Sequence, residues 1–328
     1  MKVLLTGATG FVGARVAARL AQGGVALRVT LRRGSDAGRL AGVPAEHVLA
    51  DLSDEAALRA ACHGVDAVVH AAGLTRARSE AALHAANADG SARLARAALD
   101  AGAGRFVYLG SLAARGPDPV AGDAGTTVRA SPGDAPRSAY ARSKLEGERQ
   151  VQALAPAGWA ASLRPSAVYG PGDRDLLPLF ALARRGVLAL PPGGGRVQPV
   201  YVDDVAELVA RVLASDATGF GPWPVAEPRA YAWRDLPALL AAAVGRDAVR
   251  TVHLPPVAFR FAAYASETWA WLRGTAPELD LRRARDLAER SYTTEVASTM
   301  DAFGWTAPTA LADGARATAA WYAQQGWM

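Results

Sequence analysis

The run Lys2-Val3-Leu4-Leu5-Thr6-Gly7-Ala8-Thr9-Gly10-Phe11-Val12-Gly13-Ala14 decides the fold of this 328-residue chain. Lys2 to Thr6 is a short apolar strand, and Ala14 to Leu20 opens a helical pattern. Gly7, Gly10 and Gly13 fall between them at three-residue spacing. In such a strand–turn–helix, Gly7 allows the tight turn, Gly10 lets a pyrophosphate approach the backbone, and Gly13 lets helix and strand pack closely. Free N–H groups and the dipole at the helix start favour an anion there. A glycine-rich turn can also be purely structural, so its meaning depends on the rest of the chain.

Outward from that turn, short apolar segments alternate with helical ones. Val25–Leu31, His47–Asp51, Val65–His70, Arg105–Leu109 and Trp159–Leu163 read as strands. Val65–His70 is apolar enough to be buried on both faces. Helical patterns separate them: one capped by Ser53, a long Ala-rich one over Glu80–Ala101 that carries Asn87, and one that the stretch Ser138–Lys144 opens and that continues to about Leu154. This alternation predicts an α/β fold with a doubly wound parallel sheet. Ligands bind such sheets at the carboxyl ends of the strands. Gly7, Arg32, Asp51, Ala71 and Ser111 all fall there.

Three of those ends have further content. The second strand runs into Arg32-Arg33-Gly34-Ser35. An acid at this place reads a ribose 2′-hydroxyl, whereas an Arg accommodates a 2′-phosphate. With two guanidiniums and no acid, NADP(H) is expected over NAD(H), although a solvated charge pair has the same pattern. Asp51-Leu52 follows the third strand, where an acid can accept from an adenine amino group. Ala71-Ala72-Gly73 ends the fourth, and its small side chains would let a cofactor lie against the backbone.

A polar, Gly/Pro-rich loop spans Ala114–Ser138. Beyond the sixth strand, Gly193-Gly194-Gly195 reads as a turn, Val197–Val202 as a strand, and Asp203-Asp204 as the cap of a helix Val205–Ala214. Helical patterns recur at Asp235–Val244, Pro256–Arg273 and Pro308–Gln325. Seven of the eight tryptophans are Trp223, Trp233, Trp269, Trp271, Trp305, Trp321 and Trp327, all in the C-terminal third. A dinucleotide-binding domain over 1–164 and about 197–216 is expected, with a smaller, mainly helical substrate lobe over about 165–196 and 217–328. An aromatic-rich lobe suits an apolar substrate, but such tryptophans are also ordinary core residues.

Composition narrows the function. Hydrophobic residues at 51% with 20% charged residues describe a globular chain. The net charge of +5 lies wholly in residues 1–219, because eleven Arg balance eleven Asp and Glu from Phe220 onward. That mild bias suits an anionic cofactor, and no basic run points to nucleic acid. Cys62 is the single cysteine, which excludes an intrachain disulfide. His47, His63, His70, His84 and His253 lack ligand spacing, so no metal is expected. The N-terminus has no signal-peptide pattern and no run is long and apolar enough to span a bilayer. A cytoplasmic protein acting on a small molecule is expected.

Ser111, Tyr140 and Lys144 make a chemical set. A phenol near pKa 10 is a poor acid or base at neutral pH. Tyr140 and Lys144 are four apart and share a helical face, so the ammonium can stabilise the phenolate. A Ser hydroxyl can hydrogen-bond the substrate oxygen that gains or loses the proton. The chain holds 34 Arg but only two Lys, Lys2 and Lys144. Retaining a lysine at 144 therefore favours a task that needs a compact, tunable ammonium.

Thr6 to Gly13, His70-Ala-Ala-Gly73, Ser111, Tyr140-x-x-x-Lys144, Arg164-Pro165 with Tyr169-Gly170-Pro171-Gly172-Asp173, and Val202-Asp203-Asp204-Val205 together resemble the extended short-chain dehydrogenase/reductase superfamily. Specifically, the chain resembles its NAD(P)-dependent epimerase/dehydratase and 3β-hydroxysteroid dehydrogenase-like members. The resemblance implies Tyr140 as acid/base, Lys144 as ribose anchor and Ser111 as substrate orienter. It implies cofactor contacts from Gly7, Gly10, Phe11, Val12, Arg32, Asp51, Leu52, Ala71, Ala72 and Asn87, with Pro165 and Val168 near the nicotinamide. It also implies dimerisation through the helices carrying Asn87 and Tyr140, a common habit of the superfamily. Two departures refine the expectation. Nucleotide-sugar epimerases carry an Asn three residues after the Arg of the strand-six motif, whereas Ala167 stands here. The Asp-Glu pair of sugar dehydratases is also missing beside Ser111, which Leu112-Ala113 follow. Leu109-Gly110 replaces the more usual Ser-Ser, a change that does not bear on the choice of branch. The chain is thus similar to the reductase branch, and an NADP(H)-dependent reduction of a ketone on an apolar or aromatic molecule, or the reverse oxidation of a secondary alcohol, is expected. The alternatives are a nucleotide-sugar epimerase or dehydratase, and a nucleotide-sensing protein without catalysis.

Overall fold

Side-chain alternation along the first strand sets the two sides of the sheet. Val3 and Leu5 point to one face and Leu4 to the other, and all three are fully buried. The computed structural model describes residues 1–119, 133–190, 195–217, 219–253, 257 and 290–328. Its elements are β1 (Lys2–Thr6), α1 (Phe11–Gln22), β2 (Ala26–Leu31), β3 (Glu46–Leu49), α2 (Glu55–Cys62), β4 (Ala67–His70), α3 (Glu80–His84), α4 (Gly90–Asp100) and β5 (Arg105–Leu109). There follow α5 (Ala139–Leu154), β6 (Ala160–Pro165), α6 (Leu177–Arg184), α7 (Val202–Ala214), β7 (Trp223–Val225), α8 (Leu236–Ala243), α9 (Ala297–Phe303) and α10 (Leu311–Gln324).

The seven strands form one sheet in the order β7-β6-β5-β4-β1-β2-β3, parallel throughout. One core layer joins Val3, Leu5 and Val29 to Val16 and Leu20 of α1 and to Val205 and Val209 of α7. The opposite layer joins Leu4, Val68 and Phe106 to Leu58 of α2 and Leu94 of α4. A third cluster holds the C-terminal lobe, around Tyr169, Phe180, Tyr231, Leu240 and Tyr322. Strand order reverses between β1 and β4, where Thr6 pairs with His70. The two strand ends therefore open a crevice at the switch point, the usual ligand position in this architecture.

Several local expectations are corrected. Asp54, not Ser53, caps α2: its carboxylate accepts from Ala57 N, while the Ser53 hydroxyl donates to Asp51 at 2.6 Å. The expected strand Val197–Val202 is two short pieces, Arg196–Val197 and Val200–Tyr201, paired to different partners. Pro199 lies between them and cannot donate to a ladder. Helix α7 begins at Val202, so Asp203 and Asp204 lie inside its first turn rather than capping it. The helix expected over Glu80–Ala101 is interrupted by a π turn at Ala85–Asp89.

The sheet side of the molecule extends past residue 217. β7 pairs with β6 at the sheet edge, α9 packs on β7 and α7, and Phe303, Trp305 and Ala307 join the core layer on that side. The described tryptophans of the C-terminal third are packing residues: Trp223 meets Phe303 edge-on, and Trp321 and Trp327 pack around Tyr322. Trp269, Trp271, the pattern Pro256–Arg273, Gly193-Gly194 and most of the 114–138 loop lie outside the described residues. No helix among the described residues is long and apolar enough to cross a membrane.

Candidate active site

The glycine turn is held by contacts that exclude side chains. Gly7 has φ 75°, and a Cβ there would lie 2.6 Å from the backbone of Ala71 and Ala72. A Cβ on Gly13 would lie 2.1 Å from the Gly7 carbonyl, so α1 rests directly on the turn. Gly10 occupies the N-cap of α1 with no capping side chain. The first-turn amides of Phe11, Val12 and Gly13 thus have no partner inside the helix. Gly172 closes over the turn, within 3.8 Å of the Phe11 ring from its Cβ position.

A cleft of about 380 Å³ runs from this turn along the strand ends. Gly7, Arg32, Asp51, Leu52, Ala72 and Gly73 line it together with Thr30 and Ser35, which the sequence reading did not single out. Arg33 is exposed and lies outside the lining. Hydrogen bonds from Ser53 hold the Asp51 carboxyl below its ordinary range, with help from the Arg32 charge. Ala71 is half-buried at the end of β4, Pro165 closes β6, and Val168 pairs with Val200.

Beside the cleft, Ser138 caps α5 by accepting from Ala141 N at 3.0 Å, which places Tyr140 on the first turn, half-buried. Lys144 follows one turn later and is buried. Its Nζ donates to the Leu109 carbonyl at 2.6 Å and lies 4.5 Å from the centre of the Tyr108 ring. Burial pulls its pKa down to about 8, and the Glu148 charge opposes that pull. Two residues beyond Leu109, the Ser111 hydroxyl accepts from Ala113 N at 3.2 Å. Helix α5 packs on the short 3₁₀ turn that Ser111 opens, which brings Ser111, Tyr140 and Lys144 to one corner.

Three buried networks were not foreseen. The Ser91 hydroxyl donates to the Asn87 carbonyl, so it accepts from His70 Nε2–H at 2.9 Å. His70 Nδ1 then accepts from the Thr6 hydroxyl at 2.7 Å. Burial and the Lys144 charge push the His70 pKa down to about 3. Asn87 is fully buried, and its side chain is engaged with both backbone groups of Leu74 and with the Ser143 hydroxyl rather than with the cleft. Ser143 in turn donates to the Tyr140 carbonyl at 2.8 Å. Lastly, Glu148 and Arg164 form a buried ion pair at 2.5 Å. Only Glu148 left a signal, its four-residue spacing from Lys144.

Comparison with known proteins agrees with this geometry. The model of the NAD dependent epimerase/dehydratase family matches residues 3–223. The ceramide reductase of Caulobacter vibrioides is 32% identical over 327 residues, 99% of this chain and 96% of that protein. The 2-alkyl-3-oxoalkanoate reductase of Stenotrophomonas maltophilia is 32% identical over 287 residues, 83% of this chain and 84% of that protein. The crystal structure of gox2253 superposes with a TM-score of 0.79 at 27% identity, covering 99% of both chains. Family match, sheet topology and whole-length kinship to reductases agree: this chain belongs to the NAD-dependent epimerase/dehydratase family of extended short-chain dehydrogenases/reductases, and it is an NAD(P)-dependent enzyme.

Proposed function

We propose that the protein is an NADP(H)-dependent reductase of a ketone carried on an apolar, alkyl-chain molecule, with Tyr140 as its proton donor. The observation that carries this reading is the buried Lys144 ammonium on the same α5 face as Tyr140, 3.8 Å from the Cβ position of Gly73, which lines the cleft of the glycine turn. The residues fit a dinucleotide. Gly7 and Gly13 let the turn close against β4 and α1 where any Cβ would strike backbone, the α1 amides suit a pyrophosphate, and Arg32 lines the cleft beside Asp51 and Ser35. Arg32, with Arg33 beside it, is assigned to the 2′-phosphate. When bound, the nicotinamide supplies the hydride.

The chain supplies the rest. Tyr140 holds the proton that the carbonyl oxygen takes up, and Lys144 stabilises the phenolate left behind. Because Ser111 Oγ already accepts from Ala113 N, its hydroxyl hydrogen is free to donate to the same oxygen and stabilise its developing charge. The names of the two relatives, a ceramide reductase and a 2-alkyl-3-oxoalkanoate reductase, support an alkyl-chain substrate. Its pocket is assigned to the lobe built from residues 165–196 and the part of 217–328 that does not join the sheet and its core.

The test is to incubate the purified protein with NADPH and long-chain ketones, including 2-alkyl-3-oxo acids, and to follow the absorbance of reduced nicotinamide. Consumption in proportion to ketone is expected. A protein that interconverts a nucleotide sugar while that absorbance stays constant would overturn the reading in favour of an epimerase.

A further inference from the structure

We propose that Asp134, Arg164 and Glu148 form a line of alternating charge that keeps Lys144 an ammonium and thereby sets the pH range in which Tyr140 works. This rests on the reading of Tyr140 and Lys144 given above. Tyr140, Lys144 and Glu148 are spaced by four residues, so they occupy successive turns of one α5 face. Glu148 is buried and fully engaged. Its Oε2 accepts from Ser162 Oγ at 2.6 Å and from Arg164 Nε at 3.0 Å, and its Oε1 accepts from Arg164 Nη2 at 2.5 Å. Arg164 is also buried, and it passes two further hydrogen bonds to Asp134, at 2.6 and 3.0 Å. The order inward from the partly exposed Asp134 is therefore minus, plus, minus, plus, ending on Lys144.

Lys144 needs this support because its direct contacts carry no negative charge: the Leu109 carbonyl and the Tyr108 ring of β5. From β4 it faces His70, which is neutral, and from α5 it faces Tyr140 and Glu148. From β6, Arg164 stands behind Glu148, with Ser162 on the same carboxylate. Asn87 contributes an uncharged amide beyond Gly73. Glu148 is thus the anion whose field reaches Lys144, and Arg164 attenuates it. Burial works against the Arg164 charge, but hydrogen bonds to Asp134 and Glu148 outweigh it and hold the guanidinium protonated. Gly110 completes the arrangement. A Cβ there would sit 3.2 Å from Glu148 Oε2 and 3.4 Å from Ser162 Oγ, so the glycine leaves that oxygen to Ser162.

These are positioning residues, and their test has a sign. In the reductive direction the alkaline limb of kcat/KM reports the first proton lost from the coupled Tyr140–Lys144 pair. Glu148→Gln removes a negative charge and should move that limb about 1 pH unit lower. Arg164→Gln removes a positive charge and should move it higher. Asp134→Asn, at the solvent end, should move it lower by a few tenths of a unit, roughly as a screened charge would; it is the variant of choice where the inner ones fold poorly. The same ordering should appear in the cofactor-free protein, in the phenolate difference absorbance of each variant against its Tyr140→Phe counterpart. Limbs that stay put, or that all move the same way, overturn the proposal. If Tyr140→Phe itself stays active, the functional reading falls instead.

Discussion

Gly147→Ala separates two forces that oppose each other on the catalytic helix. In an open helix, replacing Gly by Ala gains about 1 kcal/mol of helix propensity. Gly147, however, sits in α5 where that helix crosses the π turn Ala85–Asp89. A Cβ at this position would lie 2.1 Å from the Asn87 carbonyl oxygen and 2.9 Å from the Tyr108 hydroxyl. Ordinary contact begins near 3.4 Å, so α5 or the π turn must retreat by roughly 1 Å. Both are backbone held in hydrogen-bonded frames, and overpacking of that kind costs about 1–3 kcal/mol. A clash this close with backbone lies toward the upper end of that range, about 3 kcal/mol, so the packing cost outweighs the propensity gain and a net loss of about 2 kcal/mol is expected. The same retreat would stretch the 2.6 Å bond from Lys144 Nζ to Leu109 and shift Tyr140, one turn before it. A displacement near 1 Å costs turnover about tenfold to a hundredfold. Urea unfolding followed by circular dichroism, with steady-state turnover on the same samples, measures both effects. An unchanged or raised unfolding midpoint would refute the packing argument, because propensity would then have won.

Three further outcomes follow from the site. Tyr140→Phe should lower turnover by at least about a hundredfold while leaving NADPH affinity within about threefold; turnover kept within tenfold would remove Tyr140 from the chemistry. Arg32→Ala should weaken NADPH binding by about tenfold or more and leave NADH binding unchanged, by direct titration, because the charge-assisted contact is to the extra phosphate. Arg33→Ala should do less, since Arg33 lies outside the cleft lining. His70 gives a pH signature. Its folded pKa near 3 lies below the ordinary 6.5, so as pH falls through that window the unfolded chain gains a proton that the native state refuses. Stability present at pH 7 is therefore lost on acidification, by about 2 kcal/mol at pH 5 from this group. His70→Gln should flatten that part of the profile in urea titrations at the two pH values, and an equally steep profile would count against it.

Local grammar carried most of the fold. Residues 2–14 give the strand, turn and helix of the first unit directly, since each glycine is required by a contact within a few residues or with the adjoining strand. Arg105–Leu109 and α5 were legible for a similar reason, an apolar run in the first and a helical pattern after the Gly/Pro-rich loop in the second. Misreadings came where two neighbours compete for one task. Ser53 and Asp54 are both good caps, and the choice falls to Asp54 because the Ser53 hydroxyl is drawn to Asp51. The π turn at Ala85–Asp89 leaves no periodic trace, because an extra residue in one turn alters the helical phase only downstream. In the site, Tyr140 and Lys144 were visible as a spacing within one helix. Arg164 and Glu148 were not visible as a pair, because sixteen residues and a change of element separate them.

The edge strand β7 bears on where the chain can be cut. Residues 223–225 complete the sheet edge, and Phe303, Trp305 and Ala307 join the core layer that also holds Val3 and Leu5, so one layer draws on segments far apart in the sequence. The nucleotide-binding sheet therefore shares its core with the C-terminal part of the chain. A fragment cut before residue 303 would leave Trp223 without its aromatic partner and expose part of that apolar layer, the kind of surface that promotes aggregation.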